Sequence, residues 1–202
     1  SVENSVVIPN AINPEFIRPL YQGERRKVIV GAGRLTIQKN FSLLINAFAE
    51  ICNDFPEYKL EIYGEGPLKE SLINETKSLG IREKVIFKGY VNNLGNCIQD
   101  ASLFVLSSDF EGMPNALMEA MALGLPVIST DCPAGGSKFL IQDNENGLLV
   151  SVGDRKMLTE KMKYLIENER IATKIGKMAT RISSDLNTKK IYGKWEKYIT
   201  KI

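Results

Sequence analysis

The chain has 202 residues, 44% of them apolar and 25% charged, with 26 basic against 24 acidic side chains; this is the mix of an ordinary globular protein long enough to bury a sizeable core. No apolar run reaches the roughly 18 residues of a membrane span, and the opening SVENSVVIPN shows no basic stretch leading into an apolar one, so no signal peptide is expected. Histidine is absent, which removes Ser-His-Asp and Cys-His catalysis and imidazole metal sites, and Cys52, Cys97 and Cys132 are too scattered for a disulfide framework or a zinc site and fit a cytosolic protein.

The first apolar strand is expected over 27–32, KVIVGA, and it runs into Gly31-Ala-Gly33. A dinucleotide-binding fingerprint would need a third glycine where Thr36 stands, and an acidic residue closing the next strand; Glu65 comes later, inside a turn. What remains is a glycine turn followed by Arg34 and Lys39, flanking the start of a helix over 40–54. Two cations beside a helix N-terminus suit a multiply charged anion such as a diphosphate. Two solvated cations in a turn remain the alternative. In the helix, Leu43, Leu44, Ala47, Phe48 and Ile51 form one apolar face at i, i+3, i+4 spacing.

Strands follow at 58–63 and 84–88, with one helix opening on Pro67 and another over 93–100. The fourth strand, 102–107, runs into DFEG. A helix then starts at Pro114, continues through Leu123 and is stopped by Gly124 and Pro126. Its only ionisable residue is Glu119, set among Leu117, Met118, Ala120, Met121 and Ala122, so Glu119 reads as a buried carboxylate in need of hydrogen-bond donors. Glu111, in the loop before the helix, reads as a solvated acid when taken alone.

Strands at 126–130 and 147–150 complete the sheet, and helices are expected over 154–168, 171–184 and 188–201. Residues 154–202 carry 13 basic against 6 acidic side chains, a basic tail on an otherwise acidic chain. The last helix places Ile191, Trp195, Tyr198 and Ile202 in a stripe. It packs on its own domain or lies on anionic lipid. Six strands alternating with helices imply an α/β fold with a parallel sheet covered on both faces, whose ligands sit at the carboxyl ends of the strands.

The run EGMPNALMEAMALGLPVISTD, with Glu111 and Glu119 as an E-x7-E pair, resembles the retaining glycosyltransferases of family 4. VIPNAIN (7–13), GRLTIQKNFSLLINAF (33–48), YGEGPLKESL (63–72), VIFKGYV (85–91) and NGLLV (146–150) extend the resemblance over nearly the whole chain. It implies one half of a GT-B fold, a Rossmann-like three-layer sandwich. Residues 1–187 would be the nucleotide-sugar (donor) domain, and 188–202 a helix crossing back to a missing N-terminal acceptor domain. By position, Gly33, Arg34 and Lys39 would meet the diphosphate, Glu119 the ribose, and Glu111 the donor sugar. Backbone groups of Gly112, Met113, Pro114, Asn115, Ala116 and Leu117 would hold phosphate and sugar hydroxyls, and Tyr90 and Val91 would flank the base. Glu111, Arg34 and Lys39 would be the catalytic set, without a metal or other cofactor. Family members often read Gly-Pro-x-Glu where this chain has GGSKF, with Phe139 in place of the acid, so that loop is assigned no catalytic role.

The implied activity is transfer of a hexose or N-acetylhexosamine from a nucleotide diphosphate sugar to a glycan or lipid-linked acceptor. UDP-sugars are favoured, and GDP-mannose stays open. The expected setting is the cytoplasm, with the intact enzyme at the inner face of the membrane and no nucleic-acid partner; the isolated 202 residues would transfer little sugar. A sugar-nucleotide epimerase half and a non-catalytic nucleotide-sugar-binding module remain alternatives.

Overall fold

The computed structural model describes residues 6–200. Six strands, β1 (Arg26–Ala32), β2 (Lys59–Tyr63), β3 (Val85–Gly89), β4 (Ala101–Leu106), β5 (Val127–Thr130) and β6 (Leu148–Val150), form one sheet. Its order is β3-β2-β1-β4-β5-β6, and all neighbours are parallel. This is the order of a doubly wound Rossmann sheet. β1 is buried on both faces, as parallel strands between helical layers must be: Ile29 packs into one core, Val28 and Val30 into the other.

One layer holds α1 (Phe41–Ile51), α2 (Lys69–Ser78), α6 (Arg155–Glu167) and α7 (Glu169–Ala179). The other holds α3 (Leu94–Ile98), α4 (Asn115–Ala122), α8 (Ile182–Asp185) and α9 (Thr188–Ile199), while α5 (Gly136–Leu140) sits near the end of β5. On α1 the apolar face read from the sequence is the buried one: Leu44, Ala47, Phe48 and Ile51 are fully enclosed between the sheet and α6. Removing the Phe48 ring would cost about 3–5 kcal/mol in lost burial and cavity formation.

Four local expectations change. Pro67 lies in the turn before α2, which begins at Lys69. Pro114 caps α4 from outside, its ψ of 93° being extended, and its carbonyl accepts from the amides of Leu117 and Met118. The helix expected over 171–184 is two helices. They part at Thr180 and Arg181, where the Thr180 hydroxyl bonds back to the Lys177 carbonyl (2.8 Å) and competes with the helical ladder. The segment after β5 contains the short α5, five residues long and beneath the reach of periodicity. No described helix is long and apolar enough to cross a membrane.

Candidate functional site at the carboxyl ends of β1 and β4

The strand order reverses between β1 and β4, and the crevice of such a sheet opens there. Two loops fill this point, 33–40 after β1 and 107–114 after β4, and hydrogen bonds join them. The Asp109 amide donates to the Gln38 carbonyl (2.9 Å), and Gln38 Nε2 to the Phe110 carbonyl (2.8 Å). Ser107 Oγ donates to the Lys39 carbonyl (3.0 Å). Asn40, left-handed at φ 41°, caps α1 by accepting from the Leu43 amide and donates to Asp109 Oδ1 (2.8 Å). From below, Thr130 Oγ1 and Cys132 Sγ both donate to the Ser108 carbonyl. Burial pushes the Cys132 thiol up, so it stands there as a protonated donor.

Glu111 is not the solvated loop acid that its position suggested. It is 5% exposed, and its Oε1 accepts from Lys39 Nζ and from Ser108 Oγ (2.7 Å). Gly33 makes room for this pairing: a Cβ there would stand 3.1 Å from Lys39 Cε, in the path of the lysine stem. Arg34 differs. It is exposed and carries no ion pair among the described residues.

The N-terminus of α4 opens on the same crevice. The amides of Gly112, Met113, Asn115 and Ala116 have no backbone acceptor among the described residues. The run of free amides expected through Leu117 ends sooner: Pro114 has no N–H, and the Leu117 amide is bonded to the Pro114 carbonyl. Gly136, at the start of α5, presses against this loop, and a Cβ there would lie 1.9 Å from the Gly112 carbonyl oxygen.

Glu119 is half-buried rather than buried, and no described residue donates to its carboxylate. Burial, with a smaller contribution from Glu15, raises its pKa to about 7. It lines a cavity of about 420 Å³ between the segment 8–13, α4 and α9, together with Asn10, Asn115, Tyr192 and Trp195. Asn10 Nδ2 donates to Asn115 Oδ1 (3.0 Å), tying that segment to the first residue of α4.

After β3, Tyr90 is exposed (76%), while Val91 packs half-buried beside the core that includes α4. Phe139, where the acid was expected, is also exposed (57%). On α9 only Ile191 is buried. Its exposed apolar residues are Tyr192, Trp195 and Ile199, a line displaced from the expected stripe, whose last member Ile202 lies outside the described residues. Sequence reasoning missed Ser108, Asn10 and Tyr192, and read Trp195 only as part of the stripe on the last helix. The SxxE spacing of Ser108 and Glu111 was a usable signal for the first; the others meet Glu119 only through tertiary folding.

The profile of the family described as glycosyl transferases group 1 matches residues 13–182. An N-acetylgalactosamine-N,N'-diacetylbacillosaminyl-diphospho-undecaprenol 4-alpha-N-acetylgalactosaminyltransferase of Campylobacter jejuni is 37% identical over 72% of this chain and 39% of its own length. A poly(ribitol-phosphate) alpha-N-acetylglucosaminyltransferase of Staphylococcus aureus is 29% identical over 96% of this chain and 39% of its own. Among solved structures, a mutant S. aureus TarM in complex with fondaparinux, alpha-GlcNAc-glycerol and UDP superposes with a TM-score of 0.84 at 27% identity, over 90% of this chain and 37% of that one. The chain spans about half or less of the length of the curated relatives it matches.

Proposed function

The chain belongs to the glycosyl transferases group 1 family, and from that premise we propose that it is the donor-binding half of a retaining glycosyltransferase that uses a UDP-sugar. The observation that carries this reading is that the elements leaving β1 and β4 at the switch point carry, among the described residues, an Arg34 without an ion pair, four amides without a backbone acceptor at the start of α4, and a Glu119 carboxylate without a donor one to two turns further along that helix. Each group lacks a partner of one kind. A nucleotide diphosphate sugar brings all of them: phosphate oxygens for Arg34 and the amides, and ribose hydroxyls for Glu119.

In this reading the sugar–oxygen bond breaks as charge gathers on the leaving diphosphate. Arg34, Lys39 and the positive end of α4 near Asn115 stabilise that charge. Glu111 faces the donor sugar, and the base lies beside Tyr90 and Val91. The cations already supply what a metal would, so none is assigned. The transferred group is a hexose or N-acetylhexosamine, and the acceptor a glycan or lipid-linked glycan. We assign the acceptor site to a second domain of such enzymes, with the exposed line Tyr192, Trp195 and Ile199 of α9 as the surface that reaches it. Closure of the two halves would dry the site, so the 202 residues alone bind nucleotide weakly and turn over little donor.

The test is calorimetric titration of UDP into the chain and its variants. Arg34→Ala and Glu119→Ala are expected to weaken UDP binding; affinity unchanged in both would overturn the assignment.

A further inference from the structure

The two oxygens of Glu111 are in different circumstances. Oε1 accepts from both Lys39 Nζ and Ser108 Oγ, whereas Oε2 has no donor among the described residues. Ser108 is fully buried, and its carbonyl is gripped by Thr130 and Cys132, so its hydroxyl is presented from a fixed backbone. A short side chain on such a backbone has little freedom, and the Glu111 carboxylate plane is set by the donors it meets. Lys39 is ion-paired with Glu111 but stays half-buried, so its ammonium holds Oε1 while still facing the crevice; Arg34 is exposed and has no ion pair among the described residues.

We propose that Ser108 is a positioning residue: with Lys39 it holds Oε1 of Glu111 and leaves Oε2 as the oxygen that meets the donor sugar. This rests on the reading of Glu111 given above and goes beyond it by dividing the polar groups into two sets. Arg34, the α4 amides and Glu119 serve the nucleotide, Ser108 and Glu111 serve the sugar, and Lys39 stands between the two sets. Ser108 touches no substrate and acts through Glu111. The division predicts that the two sets fail differently, which a general loosening of the loop would not produce.

The experiment compares UDP with UDP-N-acetylglucosamine and UDP-galactose by calorimetry on the 202-residue chain and on Ser108→Ala, Glu111→Gln and the double variant. Ser108→Ala keeps the backbone contacts to Thr130 and Cys132 and deletes only the hydroxyl. Whichever sugar nucleotide the wild-type chain binds more tightly than UDP, Ser108→Ala is expected to bind about tenfold more weakly, as for loss of a hydrogen bond to a charged group, with UDP affinity unchanged. Glu111→Gln should lose the same preference, and adding Ser108→Ala to it should change nothing more, because the serine acts through the carboxylate. Equal weakening of UDP and UDP-sugar by Ser108→Ala, or additive losses in the double variant, would overturn the positioning role and leave the donor-site reading intact. Wild-type binding of UDP without any preference for a UDP-sugar, or a preference that survives Glu111→Gln, would remove Glu111 from the sugar site and the proposal with it.

Discussion

Lys39 and Glu111 stand 72 residues apart in the chain and form an ion pair between a half-buried ammonium and a buried carboxylate, joining the loop after β1 to the loop after β4. Removing either partner alone leaves a buried charge unpaired, a costly state. Glu111→Ala and Lys39→Ala should each lower the melting temperature clearly, and the double variant should recover part of that loss. A thermal-unfolding cycle checks this; strictly additive losses would mean that the pair is not coupled.

Arg34 should behave in the opposite way. It is exposed and has no ion pair among the described residues, so Arg34→Ala should leave stability unchanged while weakening UDP binding by about 10- to 100-fold, the range for a lost charge-assisted hydrogen bond. Parallel melting and titration measurements separate the two effects.

Glu119 sets a pH dependence. Its folded pKa of about 7 is raised from 4.5 by burial, so folding favours the protonated acid. This contribution to stability is fully present below about pH 4.5 and is lost as pH rises towards 7. Glu119→Gln should flatten that part of the stability profile. Binding of a UDP-sugar, which has no terminal phosphate to titrate near pH 7, should run the other way, because ribose hydroxyls donate to the ionised carboxylate: its affinity should rise through pH 7 in the wild type and stay flat in Glu119→Gln. An identical pH profile in both would contradict the role given to this carboxylate.

Trp195 is the single tryptophan of the chain and shares the Glu119 cavity. A ligand at Glu119 alters its surroundings, so UDP should shift or quench tryptophan emission with the same midpoint as the calorimetric titration. Saturable UDP binding with silent fluorescence would place the nucleotide away from this cavity.

Gly136 tests the loop packing. With a Cβ 1.9 Å from the Gly112 carbonyl oxygen, Gly136→Ala must push α5 or the Gly112 loop aside. Overpacking of this kind costs about 1–3 kcal/mol, a fall of several degrees in Tm.

The sheet was legible in the sequence because each strand is a short apolar run, bounded by a turn and separated from the next by a helical period. All six lie within a residue or so of their expected ends. Chain order also placed the loops after β1 and β4 at the carboxyl ends of the strands, and the sheet order puts them at its switch point. What local pattern could not supply was pairing across the fold. Glu111 reads as a surface acid until Lys39 and Ser108 close over it. Glu119 reads as buried from its apolar neighbours, yet the segment 8–13 and α9 leave a cavity beside it. α9 shows the same limit: the spacing located an apolar stripe, of which Ile191 is buried, Tyr198 half-buried and Trp195 exposed, while Tyr192 and Ile199 form an exposed line with Trp195 that the stripe did not include.

The central claim is that this crevice takes a nucleotide diphosphate sugar and not the dinucleotide its opening glycines suggest. Titration of UDP-N-acetylglucosamine, UDP-galactose and NAD into the chain, each followed by heat, tests it most directly. The account predicts saturable binding of at least one UDP-sugar, lost in Arg34→Ala, and no binding of NAD; saturable NAD binding, or no heat from either UDP-sugar, would contradict it.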